Sequence, residues 1–500
     1  MTPALLPIDL PDEAATARLG EDIAAILRPG DVIALDGDLG MGKTALARAI
    51  IRALAGDRAL DVPIPTFTLV QAYEGRVPVR HFDLYRLGSA DEIEELGLAE
   101  AIAEGAVLVE WSDRAGEAMP ADAVRLKLTE AGAGRHAAIS GNADFLDRLT
   151  RSLAIRSFLD QAGLAGARRD FLVGDASTRA YETVALPGEA PVILMNAPKR
   201  PDGPPIRDGK PYSRMAHLAE DVLPFVAIAV ALRQHGFAAP AILARDLDAG
   251  LLLVEDLGRM GVLDGDGRPI PERYVASAEL LAQIHKVDWP DRIEVGPGIV
   301  HPIPAYDHGA MAIETELLID WYVPNVLGRP ASDAERGDFA AAWAALFRRL
   351  DVAEKSLVLR DYHSPNLIWR SDRTGPDRIG LIDFQDAVIG PSAYDAASLG
   401  LDARVTVEPE LERAVVEAYC AARGAGFDRA AFDEAYAIMA AQRITKILGI
   451  FVRLKLRDGK PGYMRHLPRL RAYLRRALTH PALGDLAALY ARLGVLDEPA

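Results

Sequence analysis

The segment DVIALDG at 31–37 is an unbroken apolar run closed by Asp and Gly, and it reads as a strand. KTALARAIIRALAG at 43–56 then repeats its apolar positions at helical spacing. Further short runs follow in TFTLVQAYE (66–74), VPVRHFDLYRL (77–87) and AVLVEWSD (106–113). Strands interleaved with helices predict an α/β layer structure. ADFLDRLTRSLAIRSFLDQAGL (143–164) is helical in its spacing, and DFLVGDASTRAYETVALP (170–187) opens a new strand–turn–strand series. The expected division is therefore near residue 145, giving segments 1–145, 146–258 and 259–500. Residues 197–212, dense in Pro, Gly and charge, predict a long loop. Beyond about 271 the pattern is mainly helical, interrupted by a strand pair at LIWR (367–370) and IGLIDF (379–384).

Composition narrows the class. A chain of 500 residues exceeds one ordinary core and predicts two or three domains. Half of it is hydrophobic and 26% charged, as in globular proteins. The net charge of −16 disfavours a protein that grips a phosphate backbone by itself, so strong direct nucleic-acid binding is not expected. The one cysteine, Cys420, allows no intrachain disulfide, and its helical context AVVEAYCAARG suits a core filler. The N-terminus lacks a basic n-region, and no uncharged apolar run reaches the ~18 residues of a bilayer span. A cytoplasmic protein without membrane attachment is the expectation. The basic run from Arg453 to Arg476 reads as a solvated helix face.

Two separate nucleotide signatures follow. Gly37, Gly42, Lys43 and Thr44 satisfy G-x-x-x-x-G-K-[ST] between a strand and a helix, with Gly40 inside the loop. Glycines there let backbone N–H groups face phosphate oxygens, Lys43 reaches the β- and γ-phosphates, and Thr44 offers a hydroxyl to Mg²⁺. With VPIPTFTL (62–69), HFDLYRL (81–87) and VEW (109–111), nearly all of the first 145 residues resemble the TsaE family, the ATPase subunit of the tRNA threonylcarbamoyladenosine machinery. The resemblance implies that Asp83 lies near Mg²⁺, that Glu110 acts on the attacking water or the metal, and that Trp111 packs by the nucleotide. It also implies subunits of a threonylcarbamoyl-transfer complex as partners. Where that family usually has Ser-Pro-Thr-Phe, this chain has Ile64-Pro65-Thr66-Phe67, which bears on hydrolysis more than on ATP binding.

The second signature is RDYHSPN, with Asp361-x-x-x-x-Asn366. In a kinase such an Asp accepts the proton of the attacking hydroxyl and the Asn holds Mg²⁺. The strand–turn–strand that follows returns Asp383 beside Asn366, as a second metal-binding Asp requires. Backbone groups around Glu255 to Leu257 suit adenine, and the tip Asp175–Arg179 suits the phosphates, with Ser177 and Arg179 replacing glycines. GDASTRAY, LMNAP, VEDLG, RDYHSPNL, LIDFQDAVIGPSAYD and QRITKILGIFVRL resemble the aminoglycoside/choline phosphotransferase superfamily, and more narrowly its AmgK group, across about 150–480. The predicted architecture is thus an α/β P-loop NTPase domain followed by an α+β bilobal protein-kinase-like domain.

The resemblance implies an ATP- and Mg²⁺-dependent kinase acting on the anomeric hydroxyl of N-acetylmuramate or N-acetylglucosamine, in cell-wall recycling. It also implies that Asp395 helps hold the catalytic loop, although an N-cap reading serves equally. At the usual position of the phosphate-pairing Lys stand Met195 and Asn196, with Arg179 or Lys199 as substitutes. His301, Tyr306, Asp307, Glu314 and Trp321 are candidate acceptor contacts. His285 is expected to pack beneath the catalytic loop and His363 to shape it. Another alcohol acceptor (aminoglycoside, choline or homoserine-like) and a nucleotide-gated binding module with an inactive kinase lobe stay open.

Overall fold

The computed structural model describes residues 5–65, 68–87, 92–172, 179–199, 201 and 203–497. The chain forms two compact units, Met1–Asn196 and Ala197–Ala500.

The first unit runs β1 (Leu6–Leu10), α1 (Glu13–Ile26), β2 (Val32–Asp36), α2 (Lys43–Ala55), β3 (Val70–Tyr73), β4 (Val79–Asp83), α3 (Glu92–Glu95), α4 (Leu98–Glu104), β5 (Ala106–Glu110), β6 (Val124–Ala131), β7 (Gly134–Ser140), α5 (Ala143–Gln161), β8 (Arg168–Leu172), β9 (Ala180–Ala185) and β10 (Val192–Asn196). Its seven-stranded sheet has the order β1-β7-β6-β2-β5-β4-β3. The centre is parallel: β2 lies between β5 and β6, and β4 flanks β5. VIALD and AVLVE are unbroken apolar runs because both faces of these strands are covered, whereas VRLKLTEA alternates because β6 buries one face. Helices α1 and α2 approach closely at Gly20, where an added Cβ would come within 2.4 Å of the Ala49 Cβ.

The first compact unit extends past the division expected near residue 145. Asn142 caps α5 through the Phe145 N–H, and the antiparallel meander β8–β9–β10 follows within the same unit. A buried ionic network holds these pieces to α1. Asp22 accepts from Arg156 on α5 at 2.9 Å and from Arg169 on β8 at 2.7 Å, and Arg169 also donates to Glu182 on β9 at 2.6 and 2.8 Å. Charges taken out of water must stay paired, so these elements are obliged to remain together.

The second unit opens with a short hairpin, β11 (Pro205–Arg207) and β12 (Lys210–Pro211), inside the stretch expected to be loop. Asp208 and Gly209 both take positive φ, 52° and 70°, the Asp-Gly hairpin turn that RDGK encodes. Then come α6 (Tyr212–Met215), α7 (Leu223–Gln234), the pair β13 (Ile242–Asp246) and β14 (Leu251–Glu255), α8 (Pro271–Ile284), the pair β15 (Arg292–Gly296) and β16 (Ile299–Pro302), α9 (His308–Leu317), α10 (Val323–Val326) and α11 (Asp333–Arg349). The strands β17 (Lys355–Val358), β18 (Leu367–Trp369), β19 (Ile379–Leu381) and β20 (Val388–Pro391) precede helices α12 (Ala393–Gly400), α13 (Pro409–Arg423), α14 (Arg429–Asp458), α15 (Leu467–Ala477) and α16 (Gly484–Leu493). By length and composition α14 is apolar enough to cross a membrane, but 83% of its apolar window is buried inside the fold. The basic run is not simply a solvated face. Arg471 is buried against the Tyr322 hydroxyl, Arg469 bonds to Thr406 and Ala403, and Arg476 pairs with Glu412.

Candidate active sites

In the first unit the sheet delivers its charged residues to one edge of the phosphate loop. Gly37, Gly40 and Gly42 take φ of 141°, 81° and 97°, and a Cβ on Gly37 would lie 2.6 Å from the Leu128 carbonyl oxygen. Only glycine fits there. Lys43 Nζ donates to the Gly37 and Asp38 carbonyls at 2.6 and 3.0 Å and lies 3.8 Å from the centre of the Trp111 ring. Burial lowers the Lys43 pKa, opposed by Glu110, Asp83, Asp38 and Asp36. The Thr44 hydroxyl donates to Glu110 Oε2 at 2.9 Å, and His81 Nε2 lies 3.0 Å from Glu110 Oε1. Asp83 stands beside Glu110 in the register of β4 and β5, and both are buried. Thr44, Asp83 and Glu110 make an all-oxygen donor set of the kind a hard divalent cation takes. A cavity of about 900 Å³ runs from Gly40–Gly42 along α1 and α2 as far as Arg168. Thr66 and Phe67 lie outside the described residues. His81 was not among the expected site residues, although it shares the face of β4 that carries Asp83.

In the second unit the loop after β17 carries Asp361 and Asn366. The register of β18 and β19 pairs Leu367 with Leu381, and the Ile382 N–H donates to the Asn366 carbonyl at 3.2 Å, so Asp383 returns beside Asn366. Asn366 donates its Nδ2 to the Asp361 carbonyl at 2.9 Å, and its Oδ1 is the acceptor end of the amide. Asp383 takes a left-handed φ of 60° and accepts from Gln385 Nε2 at 3.0 Å. An amide oxygen and a carboxylate again suit a hard cation. Desolvation pushes the Asp361 carboxyl up, but His363, Arg443 and Lys446 outweigh it and hold the group below the usual carboxylate range. His363 Nε2 lies 3.8 Å from Asp361 Oδ1.

Asp395 is more than a helix cap. Its carboxylate accepts the Leu359 N–H at 2.5 Å and the Arg360 N–H at 3.0 Å, while burial pushes its pKa up to about 7 against those donors and Arg443. Arg443 donates to the Arg360 carbonyl at 3.1 Å. The Arg360 side chain pairs with Glu314, which also accepts from Lys446 at 2.7 Å, from Gln442 at 3.0 Å and from the Tyr306 hydroxyl. Tyr306 and Glu314 are therefore buried supports of the loop and not acceptor contacts, because their polar atoms are consumed by this cluster. Asp307 caps α9 by accepting the Ala310 N–H at 2.8 Å, and the Trp321 carbonyl accepts from Asn325. His285 is buried and neutral, its pKa pushed down to about 3 by desolvation, with Nδ1 2.8 Å from the Tyr419 hydroxyl. Burial raises the Cys420 thiol to about 11, which suits packing better than chemistry.

The residues expected at the kinase nucleotide come from several separate elements. The Glu255 N–H donates to Ala241 and its carboxylate accepts from the Ala241 N–H and Arg233, so any adenine contact by this residue falls to its carbonyl. Leu257 packs against Gly380. Ser177 lies outside the described residues, Arg179 is half-buried beside them and Lys199 is exposed. Met195 is buried in β10. Asn196 accepts from Arg151 on α5 at 3.0 and 2.7 Å, a cation that no local spacing announced.

These two constellations define a P-loop nucleotide-binding domain joined to a kinase-type phosphotransferase. A family model described as threonylcarbamoyl adenosine biosynthesis protein TsaE matches residues 10–137, and one described as phosphotransferase enzyme family matches residues 171–434. An N-acetylmuramate/N-acetylglucosamine kinase of Caulobacter vibrioides is 38% identical over 356 residues, 68% of this chain and 96% of that protein. The kinase of the same description from Pseudomonas aeruginosa is 34% identical over 288 residues, 55% of this chain and 79% of that protein. A tRNA threonylcarbamoyladenosine biosynthesis protein TsaE of Rickettsia bellii is 38% identical over 120 residues, 24% of this chain and 83% of that protein. The chain belongs to the phosphotransferase enzyme family, and its N-terminal part belongs to the TsaE family.

Proposed function

We propose that the chain is a bifunctional cytoplasmic enzyme. Its N-terminal domain hydrolyses ATP in support of threonylcarbamoyladenosine modification of tRNA, acting with the subunits of a threonylcarbamoyl-transfer complex. Its phosphotransferase region moves the γ-phosphoryl of ATP to the anomeric hydroxyl of N-acetylmuramate or N-acetylglucosamine in cell-wall recycling. The observation that carries the kinase reading is the convergence of Asp361, Asn366 and Asp383 within a region 38% identical to a sugar kinase.

Mg²⁺, which Asn366 and Asp383 would hold, neutralises charge on the transferring phosphoryl group when bound. Asp361 is ionised at neutral pH and orients the acceptor hydroxyl, whose proton passes to its carboxylate as the oxygen attacks phosphorus in line. Asp395 and Arg443 keep the loop backbone still while this happens, through the Leu359 and Arg360 N–H groups and the Arg360 carbonyl. In the N-terminal domain Gly37–Thr44 cradle the phosphates of ATP, Thr44 and Asp83 would hold Mg²⁺, and Glu110 is placed by His81 to orient the attacking water. With a net charge of −16, contact with tRNA is assigned to the partner subunits.

Radiolabelled ATP with amino sugars tests both halves. Asp361→Ala should abolish sugar phosphorylation and leave ATP hydrolysis, and Lys43→Ala should do the reverse. Loss of both activities in Lys43→Ala would contradict two independent sites, and ³¹P NMR showing phosphate on C6 would contradict the anomeric assignment.

A further inference from the structure

The loop that carries Asp361 is held at a second point that no step above uses. Asp402 lies two residues beyond the end of α12 and is fully buried. Its Oδ2 accepts the Ser364 N–H at 2.9 Å and the hydroxyl of Tyr274 on α8 at 3.0 Å, and its Oδ1 accepts the Arg404 N–H at 2.9 Å. Burying a carboxylate costs free energy that an apolar side chain of similar size would not, so fold stability alone gives little reason for an acid here. What the acid provides is a fixed acceptor for one backbone N–H of the loop.

That N–H follows Asp361 in the chain, whereas the Leu359 and Arg360 N–H groups held by Asp395 precede it. The two carboxylates sit at opposite ends of one helix, Asp395 in the first turn of α12 and Asp402 past its last. At 1.5 Å per residue the helix is a bar about 12 Å long. All of its residues are buried, and a Cβ on Gly400 would come within 2.6 Å of the Tyr436 hydroxyl oxygen, so close packing leaves it no room to slide. His363 stands between the two acids, with Nδ1 4.0 Å from Asp402 Oδ1 and Nε2 3.8 Å from Asp361 Oδ1. Residues 359–364 are thus fastened to one buried helix at both ends, with Asp361 between the fastenings.

We infer that Asp402 is a positioning residue for Asp361: with Asp395 it clamps the loop to α12, and through Ser364 and His363 it sets where the Asp361 carboxylate meets the acceptor hydroxyl. The inference rests on the kinase reading above. A misplacement of ~1 Å at the reacting groups costs about a hundredfold in rate. Loss of the clamp is therefore felt in phosphoryl transfer and not in the binding of ATP, which falls to other elements.

Steady-state formation of sugar phosphate by the full chain, varying N-acetylglucosamine and ATP separately, tests it. Asp402→Asn keeps the shape but turns an amide N–H₂ toward groups that are themselves donors. Its kcat should fall about 10–100-fold, with both KM values within about twofold of the parent. Tyr274→Phe, which leaves the Ser364 bond in place, should lower kcat by only about two- to tenfold. General destabilisation would add to any other lesion, whereas a residue acting through Asp361 loses its effect once that group is gone. In an Asp361→Asn background, Asp402→Asn should therefore change the residual rate by less than about twofold. A folded Asp402→Asn with the parental kcat, or one that adds its full loss to Asp361→Asn, overturns the inference. Thermal melts establish folding, and where Asp402→Asn does not fold, Tyr274→Phe goes through the same cycle and an unchanged kcat refutes the clamp. If the unmodified chain phosphorylates no amino sugar, the functional reading fails. Hydrogen–deuterium exchange then decides the clamp alone: faster exchange across residues 359–366 in Asp402→Asn supports it, and unchanged exchange refutes it.

Discussion

Glu314→Gln removes a charge from the centre of the cluster beneath the catalytic loop while nearly preserving shape. Glu314 is fully buried and accepts from Arg360, Lys446, Gln442 and Tyr306. Desolvation raises its pKa, but Lys446 and Arg360 outweigh burial and bring the carboxyl down from 4.5 to about 2. At ~1.4 kcal/mol per pKa unit, that difference contributes roughly 3 kcal/mol of stability at neutral pH. Breaking a buried ion pair from one side costs about 3–5 kcal/mol in other proteins, so two routes converge on one magnitude. The sign follows from a depressed folded pKa: the contribution is full above about pH 4.5 and is lost as pH falls towards 2.

Urea unfolding read by tryptophan fluorescence suits the test. Of the five tryptophans, Trp289, Trp321, Trp343 and Trp369 lie in the second unit and Trp111 in the first. The variant should lose about 3–5 kcal/mol at pH 7 and show a shallower stability decline below pH 4.5 than the parent. Its kcat should also fall, because Arg360 loses its partner beside Asp361. A variant within about 0.5 kcal/mol of the parent at pH 7, well under that expected loss, would refute the pairing argument.

Two further outcomes are expected. Arg169→Met leaves Asp22 and Glu182 buried without their shared guanidinium, which should cost about 3–5 kcal/mol and speed proteolysis near residues 162–172; unchanged cleavage kinetics would show that β8 is held by packing alone. Gly37→Ala forces a side chain against the Leu128 carbonyl at a φ of 141°, so ATP hydrolysis should drop at least about tenfold with ~1–3 kcal/mol of destabilisation, measured by phosphate release and thermal melting.

What the sequence by itself determined was the residue groupings confined to single loops. The phosphate cradle is set by glycines at a fixed spacing after a strand, and Asp361 and Asn366 sit on one turn. Asp383 returns through one short hairpin, so its place was also legible. These arrangements depend on backbone conformations that a few neighbouring residues dictate. Only tertiary structure decided what surrounds them. His81 meets Glu110 across neighbouring strands, and the support beneath Asp361 gathers Tyr306, Glu314, Arg360, Gln442 and Lys446 from three distant segments. Tyr306 and Glu314 therefore looked like acceptor contacts until their partners were visible. Asp22, Arg156, Arg169 and Glu182 likewise bind together segments that sequence patterns treat separately. Local spacing encodes turns and caps, but the pairing of buried charges is fixed by which elements meet, and that is settled only when the whole unit excludes water from them.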